Sequence, residues 1–325
     1  MSDHSSIRIP TRLRPITQNF NFDLPKALTS IVYLESHISK NAHTAKTLGI
    51  KREGHATMIR ADGFFVTISY LVIEAEQIWL IDSTGAAVSA HLIDIDQRSG
   101  FAILKTTKRI CATPIDFSGP ENLESGESAI FAGSGGYEMA MMVEITGRQE
   151  FPGYWEYLLD QAIFTAPAHP FWGGGGLIGM DGKLKGIGSL YIQASSPYQA
   201  GQEGNMLVPT NLLNTVLSDI LEYGRIILPP RPWLGIFTSE ADGKLIIAGL
   251  WSHGPAAQAG LEQGDLILEV NNCPIEGIAN FYRAVWSLGD AGVKVSLLIF
   301  REYKLLSIII KSANRSDYYK KPMLH

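Results

Sequence analysis

Cysteine is nearly absent from this chain. Cys111 and Cys273 stand alone and far apart, which excludes a disulfide framework and any cysteine-based zinc spacing. No run reaches the ~20 apolar residues of a membrane-crossing helix, so no membrane span is expected. A basic stripe is also missing. The net charge of −5 argues against nucleic acid as a partner. The opening stretch MSDHSSIRIPTRLRPITQNF lacks the apolar segment of a secretory signal. Taken alone it implies a polar arm over residues 1–24 and a cytoplasmic location, with a periplasmic or organellar one as the alternative if a precursor was trimmed. Helical periodicity is scarce in the first two thirds of the chain.

What is present is a succession of short strands. HATMIRADGFFVTISYLV reads as strand, Ala-Asp-Gly turn, strand; IWLIDSTGAAVSAHLIDID turns at Thr84-Gly85, and GGGGLIGMDGKLKGIGSLYI at Asp181-Gly182. Glycine at such places supplies positive φ, and β-branched or aromatic residues flank it. Regular short strands point to sandwiches or barrels. A helix then intervenes: VPTNLLNTVLSDILEYG puts Leu212, Leu213, Val216, Leu217, Ile220 and Leu221 on one face, with Thr210 expected as N-cap and Gly224 as the stop. The proline-rich ILPPRP reads as a linker. Beyond it, ADGKLIIAGLW and VKVSLLIFREYKLLSIIIK read as hairpins, and SHGPAAQAGL and IANFYRAVWSL as short helices.

Two stretches carry a family resemblance. Trp233-Leu234-Gly235-Ile236 matches a carboxylate-binding loop, and GPAAQAGLEQGDLILEVNNCPI follows the pattern "SPA-x-x-AGL-x-x-GD-x-I" that accompanies it. The chain resembles the HtrA/Deg-type serine proteases with one C-terminal PDZ domain. The resemblance implies a mainly β fold: a trypsin-like double β-barrel followed by a small α+β PDZ domain. The expected divisions are barrels over 25–224 (first 25–117, second 118–208, helix 209–224), a linker 225–232, the PDZ domain 233–315 and a tail 316–325.

The same resemblance puts Tyr70, Gly100 and Gly173 where a Ser-His-Asp triad is expected. FFVTISYLV aligns with "YVVTNNHVV", DQRSGFAIL with "D-P-R-S-D-I-A-L-I", and NPGNSGGPL with the segment HPFWGGGGL. Tyrosine and glycine supply no general base, carboxylate or nucleophile of the required kind. This implies a proteolytically inactive protein, not an enzyme, with Phe171, Trp172 and Gly173 as an oxyanion-hole remnant. Ser134 in AGSGG falls at a structural turn, and no histidine adjoins it in sequence. His169, next to the cleft, is a weak metal candidate; no metal or other cofactor is expected.

The PDZ segment carries the positive signal. A PDZ domain adds a peptide as an extra strand and takes its carboxylate in a backbone nest. Trp233, Leu234, Gly235, Ile236, Phe281 and Val285 are the expected peptide-binding residues, and their apolar character favours a hydrophobic C-terminal residue. The expected function is binding of peptides or protein C-termini as a scaffold, adaptor or regulator. An active endopeptidase of protein quality control is the alternative, and a metal-binding protein the next. In the resembled family N-terminal aromatics help hold a trimer, so for Phe20 and Phe22 the resemblance implies a homotrimer, or a hetero-oligomer with active relatives, unless they pack on the chain's own barrel.

Overall fold

The computed structural model describes residues 8–119, 123–196, 198, 201–241 and 243–320. Two compact units emerge. The first holds residues up to 149 and 161–226; the second holds 227–320 together with 150–160.

The first unit begins with a short helix α1 (Leu24–Leu28), capped by Asp23, whose Oδ1 accepts from Lys26 N–H at 3.0 Å. Strand β1 (Ile31–Ile38) follows, then α2 (Ala45–Leu48), β2 (Lys51–Arg60), β3 (Phe64–Ile68), β4 (Ala75–Ile81), β5 (Ala87–Ile95) and β6 (Phe101–Thr106). These six strands close into a barrel in the order β1-β2-β3-β6-β5-β4, all pairs antiparallel. Period-two alternation aims Val32, Leu34, Met58, Phe65, Leu80 and Leu104 inward as one cluster. Each such side chain stabilises the barrel by roughly 1.5–3 kcal/mol when fully buried. The second barrel has β7 (Ser128–Ala132), β8 (Ala140–Gly153), β9 (Tyr157–Ala166), β10 (Gly176–Ile178), β11 (Leu184–Ile192) and β12 (Gly204–Pro209), closed as β10-β11-β12-β9-β8-β7. Closure leaves no sheet edge in either barrel. Helix α3 (Leu213–Tyr223) completes the unit and stops at Gly224, whose φ of 72° is left-handed.

Two expectations change here. Thr210 is no N-cap: its hydroxyl donates to the carbonyls of Ser118 and Leu184 at 2.7 and 3.0 Å. The described part of the N-terminal arm is not a free polar segment either; its residues 1–7 lie outside the described residues. Ile9 is 1% exposed within the second barrel's apolar cluster, and its N–H donates to Glu138 O. Phe20 and Phe22 lie 5.5 Å apart, and Phe22 lies against the Asp181-Gly182 turn, where a Cβ on Gly182 would meet its ring at 2.6 Å. Both rings are half-buried, with Phe22 packed on its own barrel and Phe20 on Phe22.

The second unit is an antiparallel sheet with two helices: β13 (Ile236–Ala241), β14 (Lys244–Leu250), α4 (Pro255–Gln258), β15 (Leu266–Val270), β16 (Cys273–Pro274), α5 (Ile278–Trp286), β17 (Lys294–Arg301) and β18 (Lys304–Lys311). The sheet runs β13-β14-β15-β17-β18, with β16 on β15, so β13 is an edge strand. The divisions differ from expectation in three places. Residues 150–160, expected in the second barrel, form part of this unit as the tip of the β8–β9 hairpin. The expected linker packs too: Pro230 O accepts from Ala291 N–H, and Arg231 lies over the Trp286 ring at 4.2 Å. Of the expected tail, Tyr318 and Tyr319 pack on Trp233 and Trp251. Among the described residues, no helix is long and apolar enough to cross a membrane.

Candidate functional site

The cleft of the first unit is a cavity of about 820 Å³ whose lining includes Arg52, His55, Tyr70, Ser134, Trp172 and Gly173. Tyr70 and Gly173 meet there: a Cβ on Gly173 would stand 3.0 Å from the Tyr70 hydroxyl. Gly100 is joined to the turn that carries Tyr70, its carbonyl accepting from Ser69 N–H at 2.8 Å. Of the three positions read from sequence as the triad, Tyr70 and Gly173 therefore meet in the cleft while Gly100 is joined to the turn beside Tyr70, and none of them brings an imidazole, a carboxylate or an aliphatic hydroxyl. The Tyr70 hydroxyl donates to Ser189 O at 2.8 Å. Burial raises this phenol above its ordinary value, against a smaller opposing effect of Trp172, so it stays protonated and is no general base.

The glycine run behind the cleft is dictated by close approach. Gly174 has φ +76°, and a Cβ there would lie 1.9 Å from His55 O. Its N–H donates to Gly188 O, and Gly175 N–H to Trp172 O. The expected oxyanion-hole remnant is corrected by the next hydrogen bond. Phe171 N–H donates to His169 Nδ1 at 3.1 Å, so Phe171 and Gly173 do not form a joint pair of donors aimed into the cleft. His169 is also corrected as a metal candidate. It is fully buried, and its other ring nitrogen bonds to Met139 O at 3.0 Å, so both nitrogens serve the backbone. Burial lowers its pKa to about 4.

Sequence reasoning missed a serine–imidazole pair. Ser134 Oγ lies 3.1 Å from His55 Nδ1, across 79 residues. Ser134 N–H donates to the same nitrogen, also at 3.1 Å, which makes Nδ1 the acceptor. Burial, then the neighbouring His169, lowers His55 to about 3, with a backbone contact to Phe171 opposing. A neutral imidazole can accept a proton, but one this weak, with its lone pair shared, is a poor base at neutral pH.

In the second unit three backbone N–H groups converge on one carboxylate of the same unit. Leu234 N–H donates to Glu156 Oε2 at 2.9 Å; Gly235 and Ile236 N–H donate to Oε1 at 2.6 and 2.9 Å. Gly235 has φ +78°, which turns its N–H into this nest. The Tyr282 hydroxyl on α5 donates to Gly153 O at 2.7 Å, accepts from Glu156 N–H at 3.0 Å and bonds Thr238 Oγ1 at 2.9 Å. Thr238 N–H on the edge strand donates to Tyr154 O at 2.8 Å. Leu158 joins the apolar cluster of Leu234, Ile236, Phe281 and Val285. Burial raises the Glu156 carboxyl to about 7, against the opposing pull of the three N–H donors and Arg315.

Leu234, Gly235 and Ile236 thus donate to Glu156, and Phe281 and Val285 lie buried in the apolar cluster of the same unit. Trp233 does not donate to Glu156. Its N–H and C=O pair with Ala313, and its ring packs on Trp251 and Tyr318. Glu156, Tyr282 and Leu158 went unread. The one sequence signal was the aromatic density of FPGYWEY, unusual for a hairpin tip.

Comparison with known proteins agrees with this architecture. The PDZ domain family model matches residues 232–311. Over 278 residues the chain is 26% identical to a protein of Bartonella henselae named "Probable periplasmic serine endoprotease DegP-like", covering 79% of this chain and 52% of that protein. It is 26% identical over 295 residues to the "Serine endoprotease DegS" of Haemophilus influenzae, covering 85% and 82%. The chain spans about half the length of the DegP-like relatives it matches. The solved structure "HtrA-type protease AlgW with tripeptide" superposes with a TM-score of 0.54 at 20% identity, covering 95% and 98%. Two expectations are overturned by these names. A chain without enzyme activity was expected, whereas its relatives are named serine endoproteases. A cytoplasmic location was expected, whereas the DegP-like relatives are named periplasmic.

Proposed function

We propose that this chain, which is of the HtrA type with a trypsin-like double barrel and one C-terminal PDZ domain, is a polypeptide-recognising protein of the serine endoprotease class. One observation carries the reading. Three backbone N–H groups, of Leu234, Gly235 and Ile236, converge on a single carboxylate in the unit whose buried apolar cluster includes Phe281 and Val285. Such a nest with an adjoining edge strand suits an extended peptide that ends in a hydrophobic residue and a free carboxylate. The test is a fluorescent octapeptide pool ending in Val, Leu or Phe, set against the same pool amidated at its C-terminus. Saturable binding of the free-acid pool alone is expected; equal binding of both pools sinks the reading. Assembly as a homotrimer, or with active relatives, belongs to the same proposal. Light scattering should then give a mass of a multiple of the 35.6 kDa chain.

Peptide-bond cleavage is a second reading, favoured by the relatives' names, and the Ser134–His55 pair is the place to test it, although its imidazole is a poor base. Tyr70, Gly100 and Gly173, as the positions aligned with the triad, leave that pair as the serine and histidine among the described residues lining the cleft. Casein turnover that Ser134→Ala and His55→Ala each reduce by ~10²-fold or more is the expected sign of covalent catalysis by Ser134. Turnover unchanged in both variants removes Ser134 from the chemistry.

A further inference from the structure

The hairpin tip that joins the second unit has three features of a bound peptide. Its Tyr154 carbonyl accepts from Thr238 N–H on the edge strand. Its Leu158 side chain sits 8% exposed in the apolar cluster with Leu234, Ile236, Phe281 and Val285. Its Glu156 carboxylate takes three N–H donors in the nest. We infer that Glu156 is the resident ligand of the carboxylate-binding loop, a side-chain surrogate for a C-terminus, which an incoming peptide carboxylate must displace.

The backbone supports this independently of the carboxylate contacts. Glu156 has φ 55°, left-handed, at the end of a three-residue turn between β8 and β9. That place in a hairpin ordinarily takes Gly or Asn, because a Cβ there is strained. A glutamate occupies it here, with its side chain 7% exposed rather than in water. Its own N–H is held by the Tyr282 hydroxyl, which also takes the Gly153 carbonyl. Outside the nest, Arg283 on α5 pairs with Glu150 and with Asp160 (2.5 Å), clamping both flanks of the turn. Arg315 donates to Trp155 O at 3.3 Å. Every polar group of the tip named here has its partner on the loop, the edge strand, α5 or Arg315. The geometry is that of a seated ligand.

A chemical consequence follows for selectivity. A peptide that only adds a strand competes with one backbone hydrogen bond, whereas a peptide with a free carboxylate competes with the whole nest. Affinity for a C-terminal peptide is therefore reduced by the fraction of chains whose nest is vacant. Removing Glu156 should raise it. This last step rests on the peptide-recognition reading above; the occupancy itself does not.

The experiment has two arms, both on the full chain. In the first, amide hydrogen exchange and ¹H–¹⁵N shifts of Leu234, Gly235 and Ile236 are recorded for the wild type, Glu156→Gly and Glu156→Gln. Glycine suits the positive φ, and glutamine retains the side-chain shape without its charge. Loss of at least tenfold of the Gly235 protection in Glu156→Gly, with added trimethylacetate restoring the Gly235 shift, is the expected result. Wild-type protection and shift retained in both variants overturns the inference. In the second arm, the free-acid octapeptide pool is titrated into the wild type and Glu156→Gly. Binding at least tenfold tighter to the variant supports displacement, and equal binding to both overturns it. Absence of binding to either, with the first arm positive, supports the resident ligand and removes the peptide-recognition reading instead.

Discussion

Replacing Tyr282 by phenylalanine removes one oxygen and, by this account, loosens the hairpin tip without emptying the core. The side chain is 1% exposed, and its ring stacks on Trp286 with centroids 5.4 Å apart, contacts that Phe retains. What is lost is the hydroxyl's donation to Gly153 O, its acceptance from Glu156 N–H and its bond to Thr238 Oγ1. Leaving a buried donor or acceptor unpaired costs about 1–3 kcal/mol each. Two backbone groups of the tip are affected, so docking of the tip should weaken by about 3 kcal/mol, roughly 100-fold in the docked-to-released ratio. Amide exchange at Gly235, which sees the nest open, is the assay, with Tyr303→Phe as control because Tyr303 is 95% exposed. The reasoning is refuted if Tyr282→Phe keeps Gly235 protection within threefold of wild type. It is equally refuted if overall unfolding in urea drops by the same amount while the tip stays protected.

The remaining predictions concern pH and packing. Docking of Glu156 should weaken as pH rises. Its carboxyl is raised from 4.5 to about 7 when docked, so the docked state gains fully below pH 4.5 and loses that gain as pH passes through 7. The groups that face it are the three nest N–H donors, the Tyr282 hydroxyl, itself raised by burial, and Arg315. The difference is about 3 kcal/mol, read as Gly235 protection, corrected for intrinsic exchange, that falls between pH 5 and pH 8; a rise contradicts it. Gly174→Ala should destabilise the first unit by about 4 kcal/mol or more in urea unfolding, since its Cβ would lie 1.9 Å from His55 O at positive φ. Gly147→Ala, with nothing within 4 Å of its Cβ, should show little. Arg301→Leu should cost the second unit about 3–5 kcal/mol, because it strips the two-toothed partner, at 2.6 Å on both oxygens, from an Asp265 that is 1% exposed. A loss below about 1 kcal/mol there would mean that Asp265 finds water or another donor.

The parts of the fold legible in sequence were those fixed by local chemistry. Gly63, Gly85 and Gly182 turn their hairpins at φ of 91°, 84° and 76°, as the turn residues implied. Gly224 stops α3 in the left-handed region. The Gly-Asp of the PDZ signature is legible for the same reason: Gly264 at φ +97° makes a turn and Asp265 closes it on Glu262 N–H. Thr210 was misread because a cap and a long-range donor look alike in one dimension. Its hydroxyl reaches Ser118, 92 residues away.

The site was less legible because its partners are distant. Periodicity reports which face of an element is buried, not what lies across it. Ser134 and His55 are 79 residues apart, and Glu156 and Leu234 are 78 apart. Glu156 also looks like an exposed turn residue until its positive φ and its 7% exposure are known. The oxyanion-hole remnant failed for a related reason. Alignment carried over the positions of Phe171 and Gly173, but a buried His169 ring redirects the Phe171 N–H.

The most direct measurement is a ¹³C NMR titration of the Glu156 side-chain carboxyl in the intact chain. A carboxyl seated in the nest should titrate near pH 7, and Tyr282→Phe should move that midpoint toward the ordinary value. A midpoint at about 4.5, unmoved by Tyr282→Phe, would mean that Glu156 stands in water, and the claim that the chain fills its own carboxylate site would be wrong.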